Sequence, residues 1–113
     1  DFTFVIGTES LALPAWLAGA KGCVSGLANV FPELMAELWG LYQEGNIEEA
    51  AELQLRVNKA RRILHIPDST NTACYAVLKE RGVDVGYPKA PFIPVADDNR
   101  KAMVEGFKQM GLL

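Results

Sequence analysis

The sequence predicts an α/β protein with parallel strands, of which this chain forms the C-terminal piece. Two short apolar runs, Phe2–Ile6 and Gly22–Gly26, each read as a strand closed by a glycine. The residues between them read as a helix, and a crossover of that kind makes its flanking strands parallel. Everything after Gly26 reads as helix and connecting segments.

Phe2-Thr-Phe-Val-Ile6 is β-branched and aromatic, the pattern of a strand buried on both faces. Thr8, Glu9 and Ser10 can start a helix that Leu11–Ala18 continues. Pro14 is tolerated there only within the first turn, and Gly19 is placed to cap the end. Pro32 stands at a first helical position, with Leu34, Leu38 and Leu41 as a stripe ending before Gly45. Asn46 and Glu49 form a capping-box pattern. The helix they open carries Glu48, Glu49 and Glu52 early and Arg56, Lys59, Arg61 and Arg62 late, which complements the helix dipole. Its seam is Ala50, Leu53, Val57, Ala60 and Leu64. A further helix spans Thr70–Arg81 and stops at Gly82. Pro88, Pro91 and Pro94 make an extended arm without three backbone donors. Asp97 or Asp98 then caps a last helix with Met103, Phe107 and Met110 on one side.

Two parallel strands alone would leave both sheet edges unpaired and their apolar faces poorly covered. The strands therefore call for neighbours outside this sequence. The chain also begins inside an apparent packed strand, with no starting Met, as expected of a C-terminal portion.

A length of 113 residues bounds the chain to one domain or part of one. Half the residues are hydrophobic and 22% charged, which is globular composition. With 14 acidic against 11 basic residues, no basic face is expected to hold a nucleic acid. The longest uncharged run, Ser10–Ala20, is too short to span a bilayer. No basic region precedes the first apolar run, so neither a signal peptide nor membrane insertion is expected, and a cytoplasmic protein is. Cys23 and Cys74 are read as reduced, buried thiols, and His65 as a helix-end residue. One histidine and two distant cysteines leave no metal site, no Ser-His triad and no cofactor to expect.

In parallel α/β architectures ligands meet the C-terminal ends of strands. Gly7-Thr8-Glu9-Ser10 and Ser25-Gly26, with Asn29, are therefore the candidate positions. Gly7 admits a ligand close to the backbone, while Thr8, Glu9 and Ser10 offer two hydroxyls and a carboxylate. The competing reading gives Thr8 or Ser10 a helix-capping role and makes Asn29 a turn residue. Trp16, Phe31, Trp39 and Tyr42 have helical spacings that suit core packing.

Gly19-Ala-Lys-Gly22-Cys-Val-Ser25-Gly-Leu-Ala-Asn29-Val-Phe-Pro32-Glu33 resembles the strand-eight segment of the dihydrodipicolinate synthase / N-acetylneuraminate lyase family. Val5-Ile6-Gly7 is similar to the end of strand seven of the same barrel, and the Gly45-Asn46 step to the start of a later helix. Pro88-Lys-Ala-Pro91 with Pro94, and Gly111-Leu-Leu113, are similar to the family's late segments. The resemblance implies a (β/α)8 TIM barrel. Residues 1–45 would hold its last two β/α units and residues 46–113 a C-terminal helical extension.

It also implies a class I lyase or synthase, in which a lysine forms a Schiff base with pyruvate or another 2-oxo acid and a tyrosine relays protons. The iminium is an electron sink for C–C bond making or breaking. Both of those residues would lie upstream of Asp1, so none of Lys21, Lys59, Lys79, Lys89, Lys101 and Lys108 is the nucleophile and the chain alone is expected to be inactive. The resemblance assigns Gly7 and Val24 to the pyruvate pocket, Ser25 to the barrel mouth, and Thr8 and Glu9 to substrate contacts. Thr8 departs from the acidic residue usual in lysine-pathway members, and Thr70-Asn-Thr-Ala-Cys-Tyr75 departs from the usual Asn-Pro…Lys stretch.

A dihydrodipicolinate synthase-like enzyme is the leading expectation, with an aldolase of 2-keto-3-deoxy sugar acids or N-acetylneuraminate as the alternative. Expected partners are pyruvate, an aldehyde or sugar acid, the N-terminal part of the barrel, and further copies in a homo-oligomer, by resemblance a tetramer. A non-catalytic helical assembly module is the alternative from another class.

Overall fold

Glycines end four of the five helices by a shared device. The computed structural model describes residues 1–113, with α1 at Ala12–Leu17, α2 at Pro32–Gln43, α3 at Ile47–Leu64, α4 at Thr70–Glu80 and α5 at Asp97–Gln109. After α2, Gly45 turns left-handed at φ +77°. There Gly45 N–H donates to Tyr42 C=O at 3.1 Å and Asn46 N–H to Leu41 C=O at 2.9 Å. This pair of bonds satisfies carbonyls the helix end would strand, and a side chain at Gly45 would be strained. The same pair, one residue and two past the cap, closes α1, α4 and α5.

The chain divides into two compact units, residues 1–61 and 62–113. In the first, Thr8 leads into a 3-10 turn, Glu9–Leu11, and α1 follows. Pro14 is the third residue of α1, inside its first turn, where its missing N–H costs nothing. Ala12, Leu13 and Trp16 on α1 and Leu34, Met35 and Leu38 on α2 are buried, as is the connecting run of Leu27, Val30 and Phe31. Trp16 and Trp39 meet edge to face with centroids 4.8 Å apart, and the Tyr42 hydroxyl donates to Trp16 C=O at 2.9 Å. Of the seam expected on α3, Ala50, Leu53, Val57, Ala60 and Leu64 are all buried. At ~25 cal/mol per Å2 of apolar surface, burial of this kind is what holds helices of ordinary propensity in place.

The two expected strands form less than the sequence suggests. Phe2–Ile6 and Gly22–Gly26 run parallel but share one isolated bridge, Ile6 with Cys23. Ile6 N–H donates to Gly22 C=O at 3.0 Å and Val24 N–H to Ile6 C=O at 2.9 Å. An unbroken parallel ladder would next pair Gly22 N–H with Phe4 C=O. Lys21 N–H takes that carbonyl instead, at 2.9 Å, so the pairing slips by one residue and no regular strand results. Without flanking strands the apolar side chains stand in solvent: Phe2 is 90% and Val24 70% exposed.

In the second unit, Ala73, Cys74 and Val77 on α4 and Met103 and Phe107 on α5 are buried. Gly106 lets α5 approach Ile63, whose side-chain atoms lie 3.1–3.2 Å from where a Cβ would stand. The cap of α5 differs from expectation. Ala96, in extended backbone, occupies the N-cap, and Asp97 and Asp98 are first-turn residues. Their charges still favour the positive end of the helix dipole.

Candidate functional site

The Ile6–Cys23 bridge sets two loops side by side, since each begins immediately after a bridged residue. One is Gly7–Ser10 and the other Val24–Asn29, so Gly7, Thr8, Val24 and Ser25 all directly follow the bridged residues Ile6 and Cys23. A side chain at Gly7 would meet nothing within 4 Å, so the backbone there faces open space.

Thr8 stands at the N-cap of the 3-10 turn, yet its side chain makes no capping bond. Its hydroxyl is 3.0 Å from that of Ser10, and the two form a local polar pair at the loop. Ser25 is already employed, its Oγ accepting from Ala28 N–H at 3.1 Å. Asn29 Nδ2 donates to Gly26 C=O at 3.2 Å, the turn role expected of it. Val24 presents a bare apolar side chain beside this polar edge.

Glu9 lies differently from its neighbours. It is 4% exposed, with a carboxylate oxygen 3.7 Å from Arg61 Nε on α3. Its backbone carbonyl accepts from Gln54 Nε2 at 2.9 Å. Gln54 Oε1 accepts in turn from Leu13 N–H at 2.9 Å, and Gln54 Nε2 also donates to Asn58 Oδ1 at 2.9 Å. One glutamine of α3 thus ties both the 3-10 turn and the start of α1. Burial, and then the Glu9 carboxylate, push the Cys23 thiol above its ordinary pKa, so the neutral thiol is favoured there.

Neither Gln54 nor Arg61 stands out as a site residue in the sequence. The available signal is that Gln54 shares the helical face of Ala50, Leu53 and Val57, where a polar side chain needs a partner. His65 lies just beyond α3, with Nε2 3.5 Å from the Thr70 hydroxyl. No group of three or more His, Cys, Asp or Glu residues is arranged to hold a metal ion. No helix is long and apolar enough to cross a membrane.

Comparison with known proteins agrees with this architecture. The model of the dihydrodipicolinate synthetase family matches residues 1–110. A 4-hydroxy-tetrahydrodipicolinate synthase of Archaeoglobus fulgidus is 32% identical over 113 residues, all of this chain and 39% of that protein. A 2-dehydro-3-deoxy-phosphogluconate/2-dehydro-3-deoxy-6-phosphogalactonate aldolase of Sulfurisphaera tokodaii is 32% identical over 98 residues, 87% of this chain and 33% of its own length. Among solved structures, dihydrodipicolinate synthase from Thermotoga maritima superimposes with a TM-score of 0.88 at 25% identity, covering 100% of this chain and 38% of that one. The chain therefore spans about two fifths of the length of the curated relatives it matches. The match along nearly all of its length carries one conclusion: this chain belongs to the dihydrodipicolinate synthetase family.

Proposed function

We propose that residues 1–45 close a (β/α)8 barrel as its last two β/α units, with residues 46–113 as a helical extension, in a pyruvate-dependent class I lyase or synthase. The catalytic lysine and proton-relay tyrosine belong, in this reading, to the part of the protein preceding Asp1. Lysine attack on the 2-oxo acid carbonyl expels water and leaves an iminium. Loss of a proton from the adjacent carbon then gives the enamine that forms the new C–C bond, and cleavage runs the same steps backwards.

This chain's contribution is a share of the pocket wall. The reading is supported by the parallel Ile6–Cys23 pairing, after which Gly7 and Thr8 on one side and Val24 and Ser25 on the other follow in the chain. In the proposed barrel they would lie at the strand ends, where such enzymes do their chemistry. Val24 offers the apolar contact a pyruvate methyl needs, and Gly7 leaves room for a close approach. The Glu9 carboxyl group lies 3.7 Å from Arg61 Nε behind the loop.

A sugar-acid aldolase is the second reading within the family. It is favoured by the Thr8–Ser10 hydroxyl pair, which suits a hydroxylated substrate better than an acidic residue would, and by the name of the Sulfurisphaera tokodaii relative.

The test is borohydride reduction of the protein at its natural length in the presence of pyruvate, followed by intact mass and peptide mapping. The expected result is one reduced pyruvate on a lysine upstream of Asp1. A full-length protein that gains no adduct would overturn the Schiff-base reading in favour of a non-catalytic assembly module.

A further inference from the structure

Within the second unit, α4, the proline-rich arm after it and the first turns of α5 enclose a half-open cavity of about 560 Å3. Pockets for small molecules span roughly 300–1,000 Å3, so the space suits a ligand of modest size. Tyr75 and Tyr87 give it aromatic walls, and Pro88 and Pro94 add stiff apolar surface. None of the strand-end residues above takes part in it.

Its charged groups are unequally satisfied. Arg100 Nη1 donates to Glu80 Oε1 at 2.7 Å, while Arg100 Nε lies 3.7 Å from Asp97 Oδ1. One guanidinium therefore serves two carboxylates. Lys79 has no carboxylate partner, and its ammonium lies 5.8 Å from the centroid of the Tyr87 ring. A cation entering the cavity would meet Lys79 and two carboxylates that Arg100 already engages. An uncharged ring would leave Lys79 unchanged. An incoming carboxylate gains a charge-assisted hydrogen bond from Lys79 without displacing an ion pair.

The geometry points to a binding site here for a small aromatic carboxylate, its ring against the Tyr75, Tyr87 and proline walls and its carboxylate on Lys79. The site is separate from the proposed reaction and does not rest on it.

Calorimetric titration of the natural-length protein with naphthalene-2-carboxylate, and with 2-naphthalenemethanol as the uncharged counterpart, tests the site. The acid is expected to bind saturably and on the order of tenfold more tightly than the alcohol. Lys79→Gln removes that advantage, Lys79→Arg keeps most of it, and Tyr87→Ala weakens both probes. Lys79 is exposed, so its variants are expected to fold, and their helical circular dichroism serves as the control. No saturable binding, equal affinities for acid and alcohol, or binding unmoved by Lys79→Gln would overturn the assignment. The readout is binding rather than Schiff-base formation, so failure here and failure of the lyase reading are told apart.

Discussion

The side-chain amide of Gln54 donates to the backbone carbonyl of Glu9 across 45 residues of sequence, at 2.9 Å and buried from water. With Leu13 N–H bound to the carbonyl of the same side chain, a single residue on α3 sets the position of the whole 8–13 segment. That segment carries Thr8 and Ser10, so the geometry of the candidate loop is held from α3, which also places Arg61 beside the Glu9 carboxylate.

Replacing Gln54 by leucine keeps the bulk and removes both bonds to the backbone, along with the one to Asn58. Leu13 N–H then loses its partner while the Glu9 carbonyl keeps Ala12 N–H, so a loss of about 2 kcal/mol is expected. Urea unfolding followed by far-UV circular dichroism measures it. A loss below about 1 kcal/mol would mean that water enters and replaces the amide.

Gly106→Ala sets two effects against each other. Alanine is favoured over glycine inside a helix by about 1 kcal/mol. The new Cβ would meet three atoms of Ile63 at 3.1–3.2 Å, a contact that overpacks the site. The expected net change is destabilising by about 1 kcal/mol. Ile63→Ala removes all three atoms, so in that background Gly106→Ala should become stabilising. A double-mutant cycle with no coupling would show that Ile63 simply moves aside.

The raised pKa of Cys23 has a definite sign in its pH dependence. The native state favours the neutral thiol, so the associated stability is complete below the ordinary thiol pKa and is lost as pH rises through the elevated native value. Alkylation of Cys23 by iodoacetamide is accordingly expected to show its inflection above that of a free thiol. Glu9→Gln removes the second cause of the shift, and the inflection should move down while the burial contribution stays. An inflection that ignores Glu9→Gln would exclude the carboxylate as a cause.

In the complete enzyme, Thr8→Val is expected to lower kcat/KM for a hydroxylated sugar acid by about tenfold. Schiff-base formation with pyruvate alone should be little altered, because the hydroxyl has no place in that step. Equal losses in both measurements would indicate a deformed loop instead of a lost contact.

The helices were legible because their signals are local. Gly45 and Gly82 end helices where the sequence puts them, and all five seam residues of α3 are buried. Pro14 falls in a first turn because a 3-10 turn precedes α1, a detail apolar periodicity does not carry. The strands were legible as extended apolar runs and no further, since regular pairing depends on partners, and the slip at Lys21 and Gly22 has no local signature. For the site, the sequence picked out the loops after Ile6 and Cys23. It could not show that Glu9 turns inward while Thr8 and Ser10 pair, because that outcome depends on Gln54 and Arg61, more than forty residues away in the chain. The cap of α5 falls on Ala96 instead of Asp97 or Asp98 for a related reason. Either aspartate has the right chemistry, but the extended backbone required of a cap occurs at Ala96.

Both tryptophans of the chain, Trp16 and Trp39, lie in the first unit with their rings edge to face. The second unit holds only tyrosine and phenylalanine among its aromatic residues: Tyr75, Tyr87, Phe92 and Phe107. The molecule thus carries a built-in optical label on one half. Red-edge excitation and the near-ultraviolet dichroism of the indole pair follow residues 1–61, while tyrosine emission at shorter wavelength reports chiefly on residues 62–113. Melting curves recorded in the two windows would separate if either unit opens first, with no dye attached and no residue changed.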